Sequence, residues 1–283
     1  MIKKIGVLGS GQMGAGIAQV AAQGGYLVVL SDREIEIAKN AVIGIQKTLG
    51  KLVDKGKISS QDAAASFDRI SPATGVAGFG DCDLVIEAAT ENPALKFKLI
   101  SDLDQACQAS AVLATNTSSI SVTAIAAKTR RPEKVAGMHF MNPVPVMKLV
   151  EGIRGLQTSD ETFRTIRTVA ESLGKTFIEA RDFPGFAVNR ILMPMINEAI
   201  VALHEGVASA ADIDTAMKLG TNQPMGPLAL ADFIGLDTCL SILEVMHAGL
   251  GDTKYRPSPL LRQYVAAGWF GKKTGQGFFR YEK

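Results

Sequence analysis

The chain has 283 residues, 47% hydrophobic and 20% charged, which is enough for one large domain or two modest ones with substantial cores. Its 30 Lys and Arg against 28 Asp and Glu leave a formal charge of +2, which excludes a generally basic nucleic-acid binder though not a local basic patch. The three cysteines, Cys82, Cys107 and Cys239, are odd in number and far apart, with no CxxC or Cys/His pair at metal spacing; they read as free thiols of a cytoplasmic protein, with no disulfide framework and no metal.

Residues 2–8 form an apolar run that predicts a buried strand, and residues 13–23 predict a helix broken at Gly24 and Gly25. Residues 26–31 predict a second strand, and residues 34–55 a long helix that Gly44 and Gly50 interrupt. Residues 5–31 carry no charge and follow Lys3 and Lys4, as in a signal peptide, but seven glycines and three glutamines break the stretch. Further strands are expected at 84–87, 112–115 and 135–140, with a helix over 93–108 that Pro93 opens. Residues 105–127 are also uncharged, yet ten of the 23 are Ser, Thr, Asn or Gln, so no membrane span is expected. A short strand at 148–150, a helix over 158–173 stopped by Gly174, and a strand at 176–180 follow.

The alternation of strands and helices predicts an α/β domain with a mostly parallel sheet over residues 1–183. Helices at 186–205, 210–219, 226–249 and 259–267 predict an all-helical domain over 184–283. No repeat or low-complexity segment is present.

Gly9, Ser10, Gly11, Gln12, Met13 and Gly14 lie between the first predicted strand and helix. In that context GxGxxG is a dinucleotide fingerprint: Gly9 permits the tight turn, Gly11 lets backbone approach a pyrophosphate, and Gly14 allows close helix–strand packing. The helix N-terminus offers unpaired N–H groups to the phosphates. Asp32 ends the second strand, 23 residues after Gly9. An acid there can bond both ribose hydroxyls of NAD and repel the 2′-phosphate of NADP. Arg33 beside it could pair with that phosphate, so NADP stays open as the alternative.

His139 ends a predicted strand, where α/β sheets line their ligand crevice, and Glu151 follows 12 residues later. The chain can double back between them and bring carboxylate to imidazole. Such a pair suits hydride transfer from an alcohol, which needs a base for the hydroxyl proton. Alone, His139 also reads as a packed structural histidine. His204 and His247 fall on helical patterns and read as structural or surface residues.

These segments, together with Asn116-Thr117-Ser118-Ser119, the run from His139 to Met147, Pro184-Gly185-Phe186 with Asn189-Arg190, Gly226-Pro227 and the run from Lys273 to Phe278, resemble the short-chain L-3-hydroxyacyl-CoA dehydrogenase family and, within it, the bacterial 3-hydroxybutyryl-CoA dehydrogenases. The resemblance runs through essentially the whole chain. It implies a Rossmann-type domain followed by a helical domain that closes over the cleft and forms the contact of a homodimer. It implies that His139 takes the 3-hydroxyl proton, that Glu151 holds and polarises it, and that Ser118 and Asn189 bond the substrate's oxygen region. Cofactor contacts would fall on Glu91, Lys96, Asn116, Ser118, Asn142 and Lys273, besides the glycine turn and Asp32. Glu91 and Lys96 also suit a solvated surface pair.

Lys47, Lys51 and Lys55 make one basic stripe on the long helix. By default it is a solvated face; the resemblance implies that Thr48 and Lys55 contact coenzyme A there. The expected reaction is NAD-dependent interconversion of (S)-3-hydroxyacyl-CoA and 3-oxoacyl-CoA. The competing readings are a free 3-hydroxyacid dehydrogenase, which would use a lysine in a later helix, a sugar-acid dehydrogenase on the same scaffold, and a non-catalytic NAD-binding protein.

Overall fold

The structure, a computed structural model, describes residues 2–282 and divides into two compact units, Met1–Phe183 and Pro184–Lys283. The first unit begins with β1 (Lys4–Leu8), α1 (Gln12–Gln23), β2 (Leu27–Asp32), α2 (Ile35–Asp54), α3 (Ser60–Asp68) and β3 (Ile70–Thr74). It continues with β4 (Leu84–Glu87), α4 (Pro93–Ala106), β5 (Val112–Thr115) and α5 (Val122–Ala126). It closes with β6 (Val135–Phe140), β7 (Leu149–Arg154), α6 (Asp160–Ser172) and β8 (Thr176–Arg181).

The eight strands form one sheet in the order β3-β2-β1-β4-β5-β6-β7-β8. Every pairing is parallel except β6 with β7. Helices cover both faces, which is why β4, β5 and β6 are buried along their whole length and read as continuous runs rather than alternating patterns. The chain order reverses direction between β1 and β4, and their last residues, Leu8 and Glu87, lie side by side. Such a switch point opens a crevice at the carboxyl ends of the strands.

Local signals set the helix ends. Asn92 accepts a hydrogen bond from the Leu95 N–H and Pro93 fills the first turn of α4. Ser159 caps α6, whose first turn holds Asp160 and Glu161. The expected interruption of α2 does not occur: Gly44 and Gly50 face open space and the helix runs through both.

Four elements depart from the sequence pattern. β3 contains Pro72, which argues against a strand, but β3 is an edge strand, where a missing N–H is tolerated. The helices α3 and α5 are faint in the pattern because α3 buries only Ser66 and α5 is five residues long, too short for a helical period to show. β7 extends from the expected 148–150 to Arg154, because Glu151 and Gly152 interrupt its apolar run while being buried in it.

The second unit holds α7 (Val188–His204), α8 (Ala210–Gly220), α9 (Pro227–Ile234), α10 (Leu236–Leu250) and α11 (Pro259–Ala266). Met193, Ile196, Leu228, Leu236, Leu243 and Met246 form its core. The single helix expected over 226–249 is two helices: Gly235 adopts φ +106°, a conformation that breaks the helix and that favours glycine. The chain's last segment is held by Asp232, whose carboxylate accepts from the N–H groups of Phe278 and Phe279 and from the Tyr281 hydroxyl. Burial raises the Asp232 pKa above its ordinary 3.8, and neighbouring Asp214 adds to the effect.

The cysteines are free and buried; burial pushes Cys82 to about 12 and Cys107 to about 11. Among the described residues, no helix is long and apolar enough to cross a membrane and no group of three or more His, Cys, Asp or Glu is placed to hold a metal ion.

Candidate active site

The glycine turn stands at the end of β1. Gly9 has φ +97° and donates its N–H to Ser31 O at 2.8 Å. A Cβ on Gly14 would lie 1.8 Å from Gly9 O, so helix and turn touch only because that side chain is absent. A Cβ on Gly11 would meet nothing within 4 Å. The turn is thus closed against protein at Gly9 and Gly14 and open at Gly11, where α1 begins without a side-chain cap. Space plus unpaired N–H groups at a helix N-terminus fit a pyrophosphate.

Asp32 ends β2 beside this turn. One carboxylate oxygen accepts from Ser10 N at 2.7 Å and Ser10 Oγ at 2.8 Å, and the other from Arg33 N at 2.8 Å. Burial alone would raise its pKa, but the Ser10 bonds and Arg33 outweigh burial and hold the carboxyl below its ordinary 3.8. It therefore presents a negative charge beside the glycine turn. Arg33 is exposed, with its Nε 3.6 Å from Glu34.

His139 and Glu151 are directly opposed in the antiparallel pairing of β6 and β7, so their side chains share one face. His139 Nδ1 is 2.8 Å from Glu151 Oε2, and both residues are buried. A carboxylate only accepts, so Nδ1 carries the hydrogen and Nε2 is the basic nitrogen. Ser118 Oγ lies 3.0 Å from that Nε2. The structure thus brings three of the four expected catalytic residues into one chain, Ser118–His139–Glu151.

The loop that carries Ser118 follows β5 and is tied down at several points. Asn116 Oδ1 accepts from Phe140 N at 2.8 Å, linking the loop to the strand that carries His139. Thr117 Oγ1 accepts from Ile120 N at 3.0 Å. Glu91, expected as a cofactor contact or a surface residue, spends both oxygens on this loop: it accepts from Thr117 Oγ1 and from Ser118 N, each at 2.8 Å.

The surface reading of Lys96 is overturned. Lys96 is 1% exposed and its ammonium forms a short ion pair with the fully buried Glu87, while Thr115 Oγ1 donates to the same carboxylate at 2.9 Å. Glu87 also accepts from Ala89 N at 2.9 Å. The group joins the ends of β4 and β5 to the first turn of α4. Sequence reasoning missed Glu87 and Thr117; the signal for Glu87 was a carboxylate closing an otherwise apolar strand.

Asn142 is exposed and precedes a cis peptide bond to Pro143. Thr48 is exposed on α2, its hydroxyl bonded back to Gly44 O at 3.0 Å. Lys47 and Lys51 are exposed on that helix, whereas Lys55 stands one residue past its end as the C-cap. In the second unit Asn189 is buried in the first turn of α7, and Lys273 pairs with Asp237 near the start of α10. His204 is exposed and His247 half-buried, both near helix ends.

The family described as "3-hydroxyacyl-CoA dehydrogenase, NAD binding domain" matches residues 4–183, and "3-hydroxyacyl-CoA dehydrogenase, C-terminal domain" matches residues 185–281. A probable 3-hydroxybutyryl-CoA dehydrogenase of Bacillus subtilis is 55% identical over 282 residues, covering 100% of this chain and 98% of the relative. The 3-hydroxybutyryl-CoA dehydrogenase of Bradyrhizobium diazoefficiens is 52% identical, covering 99% of this chain and 96% of the relative. The crystal structure of (S)-3-hydroxybutyryl-CoA dehydrogenase from Ralstonia eutropha matches with a TM-score of 0.97 at 48% identity, covering 100% of both chains.

Proposed function

The chain belongs to the 3-hydroxyacyl-CoA dehydrogenase family of NAD-dependent oxidoreductases, and from this premise we propose that it interconverts (S)-3-hydroxybutyryl-CoA and acetoacetyl-CoA. The observation that carries the reading is the Ser118–His139–Glu151 chain at 3.0 and 2.8 Å beside a crevice built for a dinucleotide.

The chemistry that bound NAD supplies is acceptance of hydride from the substrate's C3. His139 takes the 3-hydroxyl proton at Nε2 and returns it in the reverse reaction. Glu151 holds the Nδ1–H, fixes the ring's tautomer and stabilises the imidazolium. The Ser118 hydroxyl shares the substrate oxygen with the imidazole, and Asn189 bonds the same region. The turn from Gly9 to Gly14 takes the pyrophosphate and Asp32 the adenosine ribose, while Glu91, Lys96, Asn116, Asn142 and Lys273 line or shape the rest of the cofactor site. Thr48 and Lys55, with the basic stripe of α2, meet the phosphates of coenzyme A.

The same reading makes the protein a cytoplasmic homodimer, with the helical unit as subunit contact. Ile191, Val207 and Leu219 stand exposed on that unit, which supports an apolar interface. A light-scattering mass of twice the 30.0 kDa chain is expected, and a monomeric mass overturns it.

The reaction is tested by NADH oxidation with acetoacetyl-CoA beside free acetoacetate. Turnover confined to the CoA ester supports the assignment; equal turnover of the free acid overturns it.

A further inference from the structure

Lys175 is a buried ammonium that the proposed reaction does not use. It stands between α6 and β8, directly after Gly174, and is 9% exposed. Its Nζ donates to the carbonyl oxygens of Val144 at 2.6 Å and Met147 at 2.8 Å. Both carbonyls belong to the loop between β6 and β7. That loop folds into a turn in which the N–H groups of Val146 and Met147 both reach Pro143 O at 3.0 Å. The backbone closes the turn on its donor side, and Lys175 closes it on its acceptor side. An ammonium suits the place, because three donors on one atom can hold two divergent carbonyls. Burial holds the Lys175 pKa below its ordinary 10.5, so the charge is kept there at a cost that a neutral side chain would avoid.

The clamped turn touches two parts of the site. Asn142 opens it, and Val144 at its centre is buried against α1, where a Cβ on Gly16 would lie 2.9 Å from Val144 Cβ. The turn is therefore wedged onto the helix that rises from the glycine turn. The same loop joins His139 to its opposed partner Glu151.

We infer that Lys175 is a positioning residue for the dinucleotide: it clamps the turn from Asn142 to Met147 so that the Asn142 amide is held in one place for the cofactor. The inference rests on the proposed function for the cofactor's identity and not for the substrate's.

The test uses Lys175→Met, Lys175→Gln and Lys175→Arg in the full chain. NADH binding is read by fluorescence titration without acyl-CoA, and KM and kcat are then measured with acetoacetyl-CoA alongside thermal melts. Lys175→Met is expected to raise Kd and KM for NADH about tenfold while kcat falls less than about threefold. Gln, able to reach one carbonyl, is expected to fall between, and Arg, with two donors restored, to bind NADH within about twofold of wild type. A Lys175→Met protein that melts lower but binds NADH like wild type overturns the inference and leaves only a stabilising role. If that variant does not fold, near-wild-type NADH binding by the Gln variant overturns it equally. If wild type itself fails to reduce acetoacetyl-CoA, the substrate assignment falls while the titration still judges Lys175.

Discussion

The carboxylate of Glu91 grips the loop that carries Ser118, accepting from the Ser118 N–H and from the Thr117 hydroxyl at 2.8 Å each. Ser118 Oγ in turn meets His139, so Glu91 sets the position of a hydroxyl it does not itself touch. Small displacements of such groups cost rate heavily. Glu91→Ala is expected to lower kcat by on the order of tenfold to a hundredfold, with Glu91→Gln losing less because its amide oxygen still accepts one bond. An unchanged kcat with weakened NADH binding would instead make Glu91 purely a cofactor contact.

With His139 as the proposed base, His139→Ala is expected to lower kcat by about a hundredfold to ten-thousandfold. NADH affinity should stay near wild type, because the glycine turn and Asp32 lie on β1 and β2, strands not paired with β6. Glu151→Gln keeps a hydrogen-bonding partner for Nδ1 but removes the charge, and is expected to lie between wild type and His139→Ala. Turnover of His139→Ala within about tenfold of wild type would remove the histidine from the role of base.

Gly11 and Gly14 separate binding from folding. A methyl on Gly14 collides with Gly9 O, so Gly14→Ala should lose both stability and NADH binding. A methyl on Gly11 meets no protein atom within 4 Å, so Gly11→Ala should melt like wild type while binding NADH about tenfold more weakly. Unchanged NADH binding by Gly11→Ala would show that the pyrophosphate does not approach that face.

How far the site was legible in the sequence depends on how its parts are encoded. The glycine turn and Asp32 are local signals, and each sits where the spacing put it. His139 and Glu151 were legible as candidates, but their pairing required β7 to run antiparallel through a buried glutamate, which an apolar-run reading cuts short at Val150. The groups of Glu87, Lys96 and Thr115, and of Glu91 with the Ser118 loop, join residues that only the sheet brings together. No pattern along the chain distinguishes the buried Lys96 from an exposed lysine on the same helix. The break at Gly235 was hidden because the residues on either side continue the apolar pattern.

Asp104 gives the pH dependence a sign. It is buried and accepts from Arg130 N and Nε and from Arg131 Nε at 2.7 to 3.0 Å. Burial would raise its pKa, but these bonds outweigh burial and hold it below 3.8. Between that lowered value and 3.8 the unfolded chain binds more protons than the folded one, so the contribution of Asp104 is present above 3.8 and is lost as pH falls through the folded value. Asp104→Asn is therefore expected to cost roughly 3 kcal/mol at neutral pH, because Arg131 keeps its backbone carbonyl bonds but is left buried without a counter-charge. Denaturant melts should show the gap narrowing in acid; a gap that widens as pH falls contradicts the ion-pair account.

Cofactor choice is expected to follow from the charge on Asp32. Its folded pKa lies below 3.8, so the carboxylate is ionised throughout the physiological range and opposes the 2′-phosphate of NADPH. Two such charges near a protein surface repel by a few kcal/mol, less where water reaches them. That predicts kcat/KM with NADPH at least about thirtyfold below that with NADH, the equivalent of roughly 2 kcal/mol. Asp32→Ala removes the repulsion but also the anchor of the Ser10 N–H and hydroxyl, so NADH efficiency should drop while the preference narrows toward NADPH. Arg33 is exposed beside the site, held only by a loose surface pairing with Glu34 at 3.6 Å, and can turn toward a phosphate once the acid is gone. Rates measured with both cofactors on wild type and Asp32→Ala decide the matter: equal wild-type efficiency with NADPH would mean that Arg33, and not Asp32, governs the ribose end.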